Sequence, residues 1–175
     1  GYSEGRNKLV LYQSGAAVQA GARVSVVDQG TAVDVGYSYL GRVVDALGYP
    51  LDDGGAPEIQ ARVPLNGKML NPLARRMIPG PLDVGVRAVN GLLTIGYGQR
   101  IGIIAGSGVG KSVLLGMMAR NTVADVVVIG LIGERAREVG EMVRAIMNPE
   151  TQNKVSIVAV PADRSPLLRI RGARR

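Results

Sequence analysis

One stretch of the sequence has the composition and spacing of a phosphate-binding loop. Residues 105–112 read Ala-Gly-Ser-Gly-Val-Gly-Lys-Ser, which is the P-loop spacing with alanine at the first glycine position. Its three glycines let the backbone adopt conformations that a side chain would forbid, so the loop amides can surround phosphate oxygens. Lys111 supplies a positive charge to the β- and γ-phosphates, and the Ser112 hydroxyl can ligate Mg²⁺.

This loop predicts ATP and Mg²⁺ as cofactors, with Ser112 as the metal ligand. A glycine-rich turn followed by Lys-Ser by chance is the alternative, but an apolar run precedes the loop and an amphipathic segment follows it. The predicted nucleotide-binding residues are consecutive: Ala105, Gly106, Ser107, Gly108, Val109, Gly110, Lys111, Ser112 and Val113.

A carboxylate that could act on the γ-phosphate follows the next apolar run. Residues 131–135 read Leu-Ile-Gly-Glu-Arg, and ligands of parallel sheets sit at the carboxyl ends of strands. Because the chain has no histidine, Glu134 is the best-placed group to orient or deprotonate the attacking water. An acidic residue in the first turn of a helix also stabilises the helix through its dipole, so a structural role for Glu134 stays open. Arg135 and Arg137 are expected to pair with local carboxylates rather than with phosphate.

A second carboxylate for the metal is not found at the expected place. A Walker B aspartate closes an apolar strand, whereas the run 126–132 leads into Gly-Glu. The run 155–160 is followed by Pro-Ala before Asp163, which lies past the strand end. We therefore predict that neither carboxylate is a Walker B residue and that the chain stops before one.

Alternating strands and helices position these groups. The apolar run 100–105 and the runs 126–132 and 155–160 predict buried strands. Helices are predicted for 111–121 and for 135–147, where apolar residues recur every three or four positions. A strand–helix–strand–helix–strand order is typical of a parallel α/β sheet with right-handed crossovers.

The first half of the chain has a different sequence pattern, with short β-rich runs followed by a proline-rich stretch. Short β-rich runs at 8–12, 23–27 and 32–35 are separated by glycines and predict a small β unit. The proline-rich stretch 48–81 predicts an irregular connector packed against the rest of the protein. A short helix is predicted within 84–93, before Gly96.

Composition excludes several classes of site. With 175 residues and 46% hydrophobic residues the chain can build a packed core, and the absence of cysteine excludes disulfides and thiolate metal ligands. No apolar run reaches the roughly 18 residues of a membrane span, and no signal-peptide pattern is seen, which predicts a cytoplasmic location. The net charge is +7, but five arginines crowd the last twelve residues without aromatic neighbours, which is a weak nucleic-acid signal.

Taken together, the motifs resemble those of the type III secretion ATPases, relatives of the rotary ATP synthase catalytic subunit, and look most like the flagellar export ATPase. The residues that carry this resemblance are 40–45, 50–54, 81–90, 98–100, 105–112, 114–120, 131–135, 161–163 and 165–169. The resemblance implies an α/β fold with an incomplete RecA-like P-loop sheet, over 48–175, preceded by a partial small β-barrel over 1–47. It further implies truncation before the Walker B strand.

For function, the resemblance implies a hexameric ATPase coupled to protein export, with Glu134 as its catalytic glutamate and Lys111 on the phosphates. The implied partners are the export gate, stalk and chaperone–substrate proteins, at most peripherally on the inner membrane, without specific nucleic acid. Two alternatives stay open. One is a fragment of a Rho-like RNA translocase, and the other is a non-catalytic nucleotide-binding module.

Overall fold

The computed structural model describes residues 2–7, 9–12, 17–25, 30–106 and 108–175. The strands of this part are β1 (Tyr2–Ser3), β2 (Arg6–Asn7), β3 (Ala32–Val35), β4 (Val43–Val44), β5 (Ala61–Pro64), β6 (Val127–Ile132) and β7 (Val155–Val160). The α-helices are α1 (Lys111–Asn121), α2 (Ala136–Ile146) and α3 (Pro166–Arg174). Short 3₁₀ helices span Tyr37–Tyr39 and Pro72–Ala74, and a π-helix spans Val89–Leu93. No helix in these ranges is long and apolar enough to cross a membrane.

A parallel sheet in the order β4-β7-β6 forms the centre of the described fold. β6 and β7 pair over their full length, from Val127 opposite Val155 to Ile132 opposite Val160, with α2 as the crossover between them. One sheet face packs against α2 because Val139, Met142 and Val143 share one side of that helix. The predicted parallel α/β architecture is confirmed, and β7 has the predicted bounds.

The opposite sheet face is covered by α3, a helix that the sequence reasoning did not predict. Its start is fixed by Ser165, whose side chain accepts a hydrogen bond from the Leu168 amide, and by Pro166 at the first helical position. Leu168 packs with Val158 and other residues of this face. The arginine-rich end of the chain is thus a packed helix rather than a free basic tail.

α1 has the predicted bounds and packs on a buried cluster formed by residues 82–95. Val84, Val86, Val89 and Ile95 are the buried members of this cluster, which also contacts the inner side of α1. The helix predicted within 84–93 is present, although it is short and largely of the π type.

The predicted strand at 100–105 is not formed. Residues 101–106 carry no strand pairing, and Ile104 is 98% exposed. The place beside β7 opposite β6 is taken by β4 instead. The prediction was wrong because an apolar run becomes a strand only where a neighbouring strand pairs with its backbone, and nothing in the described ranges pairs with this run.

The amino-terminal strands are only partly as predicted. β3 confirms the strand expected at 32–35, and it pairs antiparallel with β5, which lies in the proline-rich connector. Residues 9–12 and 23–25 are not strands, while residues 8, 26 and 27 lie outside the described ranges. Since β3 pairs with β5 and β4 pairs with β7, segments from both sides of the predicted boundary at 47–48 contact each other. That boundary stays a prediction.

Candidate functional site

The described P-loop residues before α1, at 105–106 and 108–110, are exposed and lead into the first residue of that helix. Gly108 and Gly110 have φ values of 77° and 91°, the left-handed region that glycine tolerates best. Gly110 is also the N-cap of α1 and makes no side-chain cap, so the first-turn amides of α1 face the loop without an internal partner. Gly106 is not among the glycines with positive φ, and Ser107 lies outside the described ranges.

Contacts at the far end of α1 fix the direction in which this loop points. Arg120 donates a hydrogen bond of 2.8 Å to the Ala145 carbonyl at the end of α2. The Lys154 ammonium, just before β7, donates one of 2.9 Å to the Thr122 carbonyl just after α1. The carboxyl end of α1 is therefore held at the amino edge of the sheet.

The length of α1 then places its amino end near the opposite edge. Eleven residues at about 1.5 Å each span about 16 Å, close to the roughly 20 Å of the six-residue strand β6. Because α1 packs alongside α2 with its last turn at the amino edge, its first turn and the P-loop face the carboxyl edge. Glu134 follows β6 at this same edge.

Backbone hydrogen bonds hold Glu134 at the end of β6. Gly133, at φ 82°, donates its amide to the Val160 carbonyl at 2.8 Å, and the Glu134 carbonyl accepts a bond of 2.9 Å from Ala162. The Glu134 side chain is half-buried, and no ion pair to it is found within the described residues. The arrangement leaves this carboxylate available to a ligand at the carboxyl edge.

The two arginines after Glu134 behave as predicted. Arg135, the N-cap of α2, lies 3.9 Å from Glu138, and Arg137 lies 3.8 Å from Glu141 within α2. Their side chains are about four-fifths exposed, so these pairs contribute little stability.

Within the described ranges no group of three or more His, Cys, Asp or Glu side chains could hold a metal ion. Asp163 is exposed in the turn after β7. Ser112 stays the predicted metal ligand, and its hydroxyl is exposed at the start of α1. A metal at this loop would therefore depend on nucleotide phosphates and water for most of its oxygen ligands.

Residues 82–95 form a brace that supports the end of α1, and the sequence reasoning did not predict this contact. The Asp83 carbonyl accepts hydrogen bonds from the Val123 amide at 3.2 Å and the Thr122 hydroxyl at 3.1 Å, which ties residues 82–95 to the end of α1. Hydrogen bonds from the Gly85 amide and then from the Asn90 side chain lower the pKa of the Asp83 carboxyl. The Asp-Val-Gly spacing at 83–85 is an Asx-turn signal that could have indicated this brace.

Comparison with known proteins identifies the chain's relatives. Residues 85–175, just over half of the chain, match the nucleotide-binding domain of the ATP synthase alpha/beta family. The chain belongs to the ATP synthase alpha/beta family. The matched range begins in the brace and includes the P-loop, α1, Glu134 and α3.

Within this family, the chain groups with the flagellar and type III secretion ATPases. It is 49% identical over 173 residues to a flagellum-specific ATP synthase of Pseudomonas aeruginosa, covering 99% of this chain and 38% of that protein. It is 46% identical over 151 residues to a type 3 secretion system ATPase of Xanthomonas euvesicatoria, covering 86% of this chain and 34% of that protein. The chain thus spans between a third and two-fifths of the length of these relatives.

Solved structures agree with this family assignment. A prototypical ATPase from the type III secretion system of pathogenic bacteria superposes with a TM-score of 0.76 at 44% identity, over 82% of this chain and 42% of that one. The assembled ATPase EscN of enteropathogenic E. coli, in complex with its central stalk EscO, gives a TM-score of 0.75 at 44% identity, over 82% of this chain and 36% of that one. The α/β fold with a parallel sheet is therefore that of this ATPase family.

Proposed function

We propose that this chain is the Mg-ATP-binding part of a protein-export ATPase. The observation that carries the proposal is the placement of α1, whose carboxyl end is anchored at the amino edge of the sheet by Arg120 and Lys154. That anchoring turns the P-loop towards the edge at which Glu134 follows β6. A phosphate cradle and a carboxylate on one edge are the two parts that nucleotide hydrolysis needs first.

Each site residue has a proposed role that follows from its chemistry. The amides of the P-loop and the first turn of α1 surround the phosphates, with the positive end of the helix dipole adding to the attraction. The Lys111 ammonium, exposed at the start of α1, neutralises the β- and γ-phosphates. Ser112 ligates Mg²⁺, and Glu134 orients the water that attacks the γ-phosphate.

The relatives support a biological setting for the longer protein. Flagellum-specific and type 3 secretion enzymes are the most similar proteins described above, so we infer that ATP turnover serves protein export. EscN was solved both as an assembled ATPase and with a central stalk, which supports self-assembly and a stalk partner here. An export gate and chaperone–substrate complexes would be further partners, at the cytoplasmic side of the inner membrane.

Calorimetry with Mg-ATP on the 175-residue chain tests the proposed site. Lys111→Ala should abolish measurable binding because this ammonium is the only side-chain charge that the motif directs at the β- and γ-phosphates. Lys68→Ala is the matched control, since Lys68 is an exposed lysine outside the site, and its affinity should equal that of the parent chain. Unchanged affinity in Lys111→Ala would refute the P-loop assignment.

A non-catalytic nucleotide-binding module is the second candidate. It stays open because the sequence predicts Ser112 as the only protein ligand for the metal. Hydrolysis measured beside binding separates the two functions, because a binding module would show saturable Mg-ATP affinity without any turnover above that of Lys111→Ala.

The RNA-translocase alternative gains no support from the arginines at the end of the chain. Three of the five terminal arginines, Arg171, Arg174 and Arg175, hydrogen-bond to residues of the amino-terminal half rather than forming a free basic surface.

A further inference from the structure

The end of α3 meets the amino-terminal strand pair through two arginines. The Arg171 guanidinium donates one hydrogen bond to the Gly30 carbonyl and a second, of 3.1 Å, to the Ala32 carbonyl. Arg175, the residue after α3, donates a bond of 3.1 Å to the Asp34 carbonyl. Two side chains one helical turn apart thus bind every second carbonyl along β3 and the residues just before it.

The pairing of β3 explains which edge of the strand these carbonyls face. On the side that faces β5, the Thr31 carbonyl accepts from Leu65 at 2.7 Å and the Val35 carbonyl accepts from Gln60 at 3.0 Å. Alternate residues of a strand direct their backbone groups to opposite edges, so the even-numbered carbonyls point away from β5. The arginines therefore bind the second edge of β3.

The spacing of the two elements matches. Carbonyls on one edge of a strand repeat every two residues, about 6.6 Å, and residues four apart on an α-helix are about 6 Å apart along its axis. Arg171 and Arg175 can thus follow the β3 edge without distortion. Lysine could not reproduce the contact of Arg171, because one ammonium replaces the two guanidinium nitrogens that reach two carbonyls.

The packing of α3 on the sheet holds the two arginines in place. A Cβ at Gly172 would overlap Val160 Cγ2 and approach Ile132 Cδ1 to 3.1 Å, so the helix lies directly against β6 and β7. Arg175 also stacks over the Tyr39 ring at 5.2 Å from its centroid.

We propose that Arg171 and Arg175 form a clamp that fixes the β3–β5 pair on the nucleotide-binding sheet. The strand pair and the parallel sheet are separate sheets in the described ranges, so the clamp supplies backbone-directed bonds between them. α3 begins after the turn whose Ala162 amide binds the Glu134 carbonyl. The clamp thereby joins the amino-terminal strands, through one helix, to the edge that carries Glu134.

Hydrogen exchange on the intact 175-residue chain tests the clamp. Arg171→Ala should raise the exchange rate of amides in β3 and β5 by about tenfold, because charge-assisted bonds to a strand edge are lost. Amides of β6, β7 and α2 should exchange as in the parent chain. Arg171→Lys should give the same pattern, since it keeps the charge but cannot bind two carbonyls. Arg174→Ala is the control, because this exposed arginine bonds a side chain, that of Asn66, and not the β3 edge.

A second variant tests the clamp without touching either arginine. Gly172→Ala should push α3 away from Val160 and raise exchange in β3 and β5 as well as at the ends of β6 and β7 beneath α3, whereas Gly140→Ala in α2 should not. A Cβ at Gly140 meets only Arg144 Nη2, at the ordinary distance of 3.8 Å. Unchanged exchange of β3 and β5 in Arg171→Ala, or an increase spread evenly over all strands, would overturn the proposal.

Discussion

Replacing Gly85 by alanine should loosen the brace that holds the end of α1. Gly85 has φ +70°, and a Cβ built on it would overlap the Cβ and the carbonyl group of Asn121, the last residue of α1. The left-handed conformation costs a non-glycine residue roughly 1–2 kcal/mol. Overpacking in a well-packed site typically costs about 1–3 kcal/mol, and the main-chain atoms of Asn121 cannot simply rotate away.

The two costs add to about 2–5 kcal/mol, because strain at Gly85 and displacement of Asn121 are separate effects. For a chain of this size each kcal/mol lowers the melting temperature by about 2–4 °C, so Gly85→Ala should lower it by about 4–20 °C. Thermal unfolding followed by far-ultraviolet circular dichroism measures this shift.

Gly91→Ala is the matched control for Gly85→Ala. Gly91 lies in the same segment, has no positive φ, and a Cβ there would meet nothing within 4 Å. Its melting temperature should stay within about 2 °C of the parent chain. If Gly85→Ala melted within that same interval, the close contact between Gly85 and α1 would not be a determinant of stability and the reasoning would be refuted.

Three further predictions concern the loop, the carboxylate and pH. Gly110→Ala should weaken Mg-ATP binding about 5- to 30-fold in calorimetry, the equivalent of roughly 1–2 kcal/mol of left-handed strain, whereas Gly106→Ala, at a position without positive φ, should change it less than about threefold. Glu134→Gln should leave Mg-ATP affinity unchanged and alter any ATP turnover by the 175-residue chain only slightly. An arginine finger, which some phosphoryl-transfer enzymes receive from a second protein, contributes on the order of 10³–10⁵ in rate against about 10²–10⁴ for a general base. If the 175-residue chain turned over ATP about as fast as a full-length relative, the expectation of only a slight effect of Glu134→Gln would be contradicted. Hydrogen bonds from Arg42, and then from the Val43 and Gly54 amides, lower the pKa of Asp52 below its ordinary value of about 3.9, so their stabilisation is complete above that value and is lost as pH falls through the lower folded pKa. Asp52→Asn should remove this acid-dependent step from urea midpoints measured across that pH range, and an unchanged step in the variant would contradict the assignment.

Elements with strong local signals were predictable from the sequence. α1 begins where Gly110 can adopt a left-handed conformation, and β7 is an apolar run that becomes buried on both faces. α2 was found through its apolar period, and its observed ends lie one residue inside the predicted ones. In these segments, local propensity and tertiary packing favour the same structure.

Segments that depend on distant partners were not predictable in the same way. The run 100–105 has the composition of a buried strand but no pairing partner in the described ranges, so its apolar residues are largely exposed. β4 is only two residues long, and its place beside β7 depends on a contact across more than a hundred residues. The arginines of α3 carried a charge signal, but only the geometry of β3 shows that they bind carbonyls.

For the candidate site, residue types and their order were predictable from the sequence, but the direction in which α1 and its loop point was not. The motif predicted that Lys111 and Glu134 act on one nucleotide. The hydrogen bonds of Arg120 and Lys154 at the far end of α1 supply the orientation that this hypothesis requires. Such long-range contacts have no local sequence signature, because a single arginine or lysine can bond many different carbonyls.

Exposed apolar side chains in the run 101–106, in α1 and in β6 affect how the isolated chain behaves in solution. Ile104, Val113 and Val128 are each at least 66% exposed, and the last of them lies on β6, an outer strand of the described sheet. Strand edges and apolar side chains of this kind promote self-association between molecules. Melting temperatures and ligand affinities of the chain should therefore depend on protein concentration. Dilution series and light scattering belong beside every such measurement.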